Sequence, residues 1–182
     1  HAHGAIWDGR YVGSFGDAGT FSLQSSKTLC CGEGGAIVTN SERLFGICRS
    51  ISNCGRAVGE PDYNHYLNST NYRLGELQAG LLLAQMTRLE AQCNKRDQNG
   101  KILTELLEQI DGIKPQTRDP QLGRHGHYLF TFLLENDIPR EPFKKAIKAE
   151  GVPIQLEYPA IHTLEFIKKK KLDEGEFPVS EH

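Results

Sequence analysis

One lysine stands out for the chemistry it could do. Lys27 lies in the loop Gln24–Glu33, between a short apolar stretch and the glycine-rich turn at residues 32–35, with Ser22, Ser25, Ser26 and Thr28 around it. A lysine at the end of a strand and partly withdrawn from water is a nucleophile that can form a Schiff base with a carbonyl, as in pyridoxal-phosphate enzymes. The surrounding hydroxyls and backbone N–H groups suit a phosphate. The same residue also reads as an ordinary charged loop lysine, and spacing alone does not choose between the two.

The histidines offer a second chemistry. His1 and His3, and again His125 and His127, stand two apart, so on a strand each pair would share a face on which two imidazoles can hold a metal. No third ligand lies near either pair in the sequence. The five cysteines, at 30, 31, 48, 54 and 93, are odd in number and form no C-x-x-C. That pattern argues against a disulfide framework and a tetrahedral zinc site, and points to a reducing cytoplasm.

Short strands and capped helices must position these groups. Ala18–Leu23 alternates small and apolar residues, and Ala36–Thr39 is a β-branched run, so Lys27 sits in the loop between two strands. Asn40 or Ser41 caps a helix that carries Leu44, Ile47, Cys48 and Ile51 and stops at Gly55. The stretch 55–72 has no periodicity and reads as functional or partner-contacting. Leucines from Leu74 to Leu89 give a strong helical stripe, which resumes from Ile102 to Ile110 and ends at Gly112. These leucines read as packing on a core or a subunit interface.

The last third reads as a strand at His127–Leu134, a helix at Pro139–Glu150 and a second strand at Val152–Glu157, which together form an α/β unit. The Pro- and Gly-containing segment Gln116–Arg124 reads as the hinge before it. Two parts are therefore expected, residues 1–115 and 116–182.

The 182 residues carry 21 Lys+Arg against 23 Asp+Glu, a net charge of −2, which gives no reason to expect nucleic acid or an anionic membrane as a partner. The lysine run 168–171 lies beside acidic residues and reads as a solvated helix end. No stretch is apolar for the roughly 18 residues of a membrane span, and the first residues lack the order of a signal peptide. The single methionine is Met86, so the chain reads as a processed product or a fragment.

Two long runs resemble a known family. Residues 13–39, Gly-Ser-Phe-Gly-Asp-Ala-Gly-Thr-Phe-Ser-Leu-Gln-Ser-Ser-Lys27 and onward to Thr39, are similar to the cofactor-lysine segment of the DegT/DnrJ/StrS aminotransferases. Residues 71–85, beginning Asn71-Tyr72-Arg73, are similar to that family's Asn-Tyr-Arg segment and the helix after it. The resemblance covers essentially the whole chain, more weakly after Gly112. It implies an α/β fold that is part of a fold type I pyridoxal-phosphate transferase: the end of the large domain, a mixed sheet with helices, and most of a small α/β domain.

It also implies a function, transfer of an amino group from glutamine or glutamate to a keto-sugar, often nucleotide-linked, or a keto-cyclitol. Gln24 and the segment Glu150-Gly-Val-Pro153 look more like members that use cyclitols and glutamine. Lys27 would form the Schiff base with pyridoxal phosphate and move the proton. Ser22 would bind the cofactor phosphate, and Asn71 would reach the phosphate of the neighbouring subunit's site, so the active unit would be a homodimer with shared sites. His1, in His1-Ala-His-Gly4, would hold the place near the cofactor ring hydroxyl. Arg73 would be structural or substrate-side. His162, in Tyr158-Pro-Ala-Ile-His162, would touch substrate, although the proline is shifted by one from the family's pattern. The family's aspartate, partner of the pyridine nitrogen, and its phosphate turn would lie before His1. The isolated chain is therefore expected to bind the cofactor poorly and not to transaminate. A cofactor-free or truncated member that acts as a binding or regulatory protein is the alternative.

Overall fold

The computed structural model describes residues 1–57, 59, 63–135, 137–155, 158–170 and 177–181. The chain divides into two compact units, His1–Leu133 and Leu134–His182. The first begins with the two-residue strands β1 (Ile6–Trp7) and β2 (Arg10–Tyr11), followed by the hairpin of β3 (Gly19–Ser22) and β4 (Gly35–Val38). Two helices come next, α1 (Glu42–Ser52) and α2 (Glu76–Leu107), and then β5 (Ile113–Pro115), β6 (Leu122–Arg124) and β7 (Phe132–Leu134). β1 lies between β2 and β6, antiparallel to both; β3 pairs with β4, and β5 with β7. The second unit contains α3 (Arg140–Ala149), a 3₁₀ turn at Ile161–Thr163, α4 (Glu165–Lys170) and the short α5 (Pro178–Glu181).

Local signals account for α1. The Ser41 hydroxyl accepts the Leu44 N–H at 3.3 Å, Glu42 sits in the positive first turn and Arg49 in the last. At the far end Gly55 adopts φ +81°, and its N–H donates to the Ser50 carbonyl at 2.7 Å. A Cβ there would fall 1.9 Å from the Leu67 carbonyl oxygen, so only glycine fits.

The two expected helical stretches after residue 74 are one helix. α2 runs for 32 residues, about 48 Å at 1.5 Å per residue, straight through the polar stretch between the leucine runs. The inward face of that middle is built from Cys93, Asp97 and Gly100, all buried. Asp97 is held by Lys101 at 2.7 Å and Arg118 at 2.8 Å, and it accepts the His125 N–H at 2.8 Å. A satisfied carboxylate replaces the apolar stripe, so apolar periodicity fades while the helix continues.

The same contacts change the reading of Gln116–Arg124. Its end is strand β6, and Arg124, 7 % exposed, donates to the Gly4 carbonyl at 2.7 Å and forks onto both Glu90 carboxylate oxygens at 2.7 and 3.1 Å. This segment is clamped to α2 and to the first residues instead of swinging as a hinge. In the second unit, α3 begins after Pro139 as expected, but Val152–Gln155 form no strand, since among the described residues no neighbour pairs with them. The remainder of that expected strand, Leu156 and Glu157, lies outside the described residues.

Few apolar side chains are fully enclosed: Ala5, Leu23, Cys31 and Cys93 are buried. Leu77 at 88 %, Leu83 at 67 % and Phe45 at 56 % stay exposed. All five cysteines are free thiols, and no described helix is long and apolar enough to cross a membrane.

Candidate active site

The β3–β4 hairpin presents Lys27. Thr20 lies opposite Ile37 and Ser22 opposite Gly35, and the connecting loop is closed at its neck by Leu23 N–H to the Gly34 carbonyl and Cys31 N–H to the Leu23 carbonyl, both 2.9 Å. Buried Leu23 and Cys31 anchor that neck. The tip is stapled by one side chain: the Gln24 amide oxygen accepts the Ser26 N–H at 2.9 Å and the Ser26 hydroxyl at 2.6 Å. Lys27 N–H donates to the Gln24 carbonyl at 2.9 Å, completing a turn that projects the lysine side chain.

Two side chains gather around the amine. Lys27 Nζ lies 2.5 Å from His1 Nε2 and 3.5 Å from the Tyr128 hydroxyl, and 4.5 Å from the centre of the Tyr128 ring. The His1 and Tyr128 rings stack 4.2 Å apart at an interplanar angle of 7°. Strand register explains why these distant residues meet. Ile6 in β1 faces Arg124 in antiparallel β6, and counting back five residues from Ile6 and forward four from Arg124 arrives at His1 and Tyr128. The Ser26 hydroxyl, 3.0 Å from the Tyr128 hydroxyl, ties the loop tip to the same ring.

The structure therefore brings His1 to Lys27, and it adds Tyr128, which no sequence signal singles out. Ser22 is half-buried at the end of β3, where its hydroxyl accepts the Gln24 N–H at 3.4 Å. Asn71 is exposed, and its side-chain oxygen accepts from the Arg73 backbone N–H at 3.1 Å and Nε at 3.0 Å. These two residues hold each other on the surface. His162 belongs to the second unit, where its ring stacks on Phe177 at 4.7 Å.

Neither histidine pair shares a strand face. Residues 1–4 form a turn, so His1 faces Lys27 while His3 is buried against Phe21, where burial lowers its pKa. His127 has φ +40° and donates its N–H to His125 Nδ1 at 3.0 Å, so those rings meet edge to face at 4.0 Å through a turn. Burial, and then the neighbouring His125, push His127 down to about 4. Gly100 of α2 makes room for this ring, since a Cβ there would lie 2.2 Å from His127 Nε2. Among the described residues no three His, Cys, Asp or Glu side chains gather as metal ligands.

The chemistry of the donor set fits a carbonyl cofactor bearing a phosphate. A primary amine is held beside an imidazole and a phenol, with Ser22 and Ser26 nearby in the chain and the Thr28 hydroxyl buried without a partner among the described residues.

Comparison with known proteins shows the family of the chain. The profile of the DegT/DnrJ/EryC1/StrS aminotransferase family matches residues 1–182. The chain is 36% identical over 176 residues, 88% of its length and 42% of the relative's, to a protein of Micromonospora echinospora named L-glutamine:2-deoxy-scyllo-inosose aminotransferase. It is 38% identical over 134 residues, 72% of its length and 34% of the relative's, to the 3-amino-5-hydroxybenzoate synthase of Amycolatopsis mediterranei. The crystal structure of a 3-amino-5-hydroxybenzoic acid synthase superposes with a TM-score of 0.83 at 33% identity, over 92% of this chain and 44% of that one. The chain thus spans between a third and a half of the length of each.

Proposed function

This chain belongs to the DegT/DnrJ/EryC1/StrS aminotransferase family, and from that premise we propose that it carries the reactive lysine of a pyridoxal-phosphate-dependent aminotransferase acting on a keto-cyclitol or keto-sugar. Its fold is α/β, part of a fold type I transferase. The observation that carries the proposal is the Lys27 amine, projected by a stapled turn and met by His1 and Tyr128.

When bound, pyridoxal phosphate supplies an aldehyde that condenses with amines and a ring that accepts electrons. In this reading Lys27 Nζ would hold the cofactor and would take and return a proton as general acid and base. The hydroxyl of Ser22 would hold the phosphate and His1 would serve the cofactor's ring hydroxyl. Asn71 completes the phosphate site of a second subunit, and Arg73 and His162 serve the substrate side. A homodimer agrees with the surface positions of Asn71 and Arg73 and with exposed Leu77, Leu83 and Phe45. For the whole protein we keep the expected division into a cofactor-binding domain at residues 1–115 and a smaller domain at 116–182, while in this chain the first compact unit extends to Leu133. The free thiols suit the cytoplasm.

Glutamine is the amino donor we favour and a keto-cyclitol the acceptor, since the Micromonospora echinospora relative is named for both. The test is borohydride reduction of the full-length gene product with pyridoxal phosphate, followed by peptide mapping. An adduct on Lys27, absent in Lys27→Ala, and conversion to pyridoxamine phosphate by L-glutamine are expected. An adduct on another lysine, or no conversion with either glutamine or glutamate, overturns the proposal.

A further inference from the structure

Tyr128 meets the Lys27 amine with both its ring and its hydroxyl. Its ring lies beneath Lys27 Nζ and stacks on His1, and its hydroxyl stands 3.5 Å from Nζ and 3.0 Å from the Ser26 hydroxyl. The backbone that carries it is pinned on the α2 side. The N–H of His125 donates to Asp97, and Arg96 donates to the His127 carbonyl at 3.1 Å. The Asp97 carboxylate that receives His125 is itself locked by Lys101 and Arg118. A long, flexible lysine stem on a loop thus meets an aromatic wall fixed to the longest helix of the chain.

We propose that Tyr128 is a positioning residue for Lys27: its ring holds the amine from below while its hydroxyl, shared between Lys27 and Ser26, keeps the loop tip in register with it. The inference rests on reading Lys27 as the amine of the site. The ring and the hydroxyl act separately. Tyr128→Phe keeps the ring under the amine and its stacking on His1 but removes both hydroxyl contacts, whereas Tyr128→Leu removes everything. A cation over a tyrosine face at a partly exposed site is worth about two- to five-fold in an equilibrium between held and released states.

The experiment is site-resolved labelling of the chain's lysines by trinitrobenzenesulfonate, read by mass spectrometry, with Lys95 and Lys114 as references in the same sample. No cofactor is needed, so this inference and the cofactor reading fail independently. In Tyr128→Leu the labelling of Lys27 relative to the references rises about two- to five-fold, and in Tyr128→Phe it rises by less. Unchanged relative labelling in Tyr128→Leu overturns the proposal, as does an equal rise at all three lysines, which marks loosening of the whole fold. Should Tyr128→Leu fail to fold, Tyr128→Phe decides, because its shape is retained: no selective rise at Lys27 overturns the role of the hydroxyl.

Discussion

Replacing Asp97 by Asn tests the frame on which the site is hung. The Asp97 side chain is 8% exposed and ion-paired to Lys101 and Arg118. Burial opposes its charge, but hydrogen bonds from Lys101, Arg118 and the His125 N–H outweigh burial and hold its pKa at about 2, against 3.8 for a free carboxyl. That depression corresponds to roughly 2 kcal/mol of stability. The group's pKa is lowered on folding, so its contribution is complete above the unfolded value and is lost as pH falls toward about 2. Urea unfolding of wild type and Asp97→Asn, measured from neutral pH downward, should show a difference of about 2 kcal/mol that is constant above about pH 5 and closes below about pH 4. A neutral-pH difference below about 0.5 kcal/mol, or one that persists unchanged at the acid end, refutes the role of Asp97 as the charged anchor of α2.

Other outcomes follow from single contacts. Gly55→Ala places a Cβ against the Leu67 carbonyl at φ +81° and should cost about 2–4 kcal/mol, seen as a fall in melting temperature. Arg124→Lys loses the fork onto Glu90 and should cost about 1–2 kcal/mol in urea unfolding, because an ammonium cannot bridge both carboxylate oxygens and the Gly4 carbonyl together. His127, held near 4 when folded against 6.5 when free, resists a proton that the unfolded chain accepts, so stability should fall as pH drops from about 6.5 to about 4. His127→Gln should flatten that slope, and a ring-proton titration by NMR with a midpoint above about 6 contradicts the burial argument.

What the sequence made legible was local. The Ser41 cap, the Gly55 stop, the proline ahead of α3 and the Lys27 loop all declare themselves within a few residues, and each forms as the spacing implies. The polar middle of α2 did not, because a helix face that buries Asp97 opposite Arg118 and His125 carries no apolar period to detect. The histidine pairs misled for a related reason: alternation holds only on a strand, and residues 1–4 and His127 are turns.

Tyr128 illustrates the general limit. It stands 101 residues from Lys27, and nothing in its neighbourhood marks it. The pairing of Ile6 with Arg124 carries it to the site, together with the ion pair of Arg124 with Glu90 and the hold of Asp97 on Arg118 and the His125 N–H. The proposed reactive group, Lys27, is therefore encoded in a short motif, whereas its surroundings are encoded in buried charges on a helix. A substitution at Asp97 should for that reason raise the selective labelling of Lys27 as Tyr128→Leu does, although Asp97 touches neither residue: Asp97→Asn leaves the ring in the chain and frees the backbone that aims it.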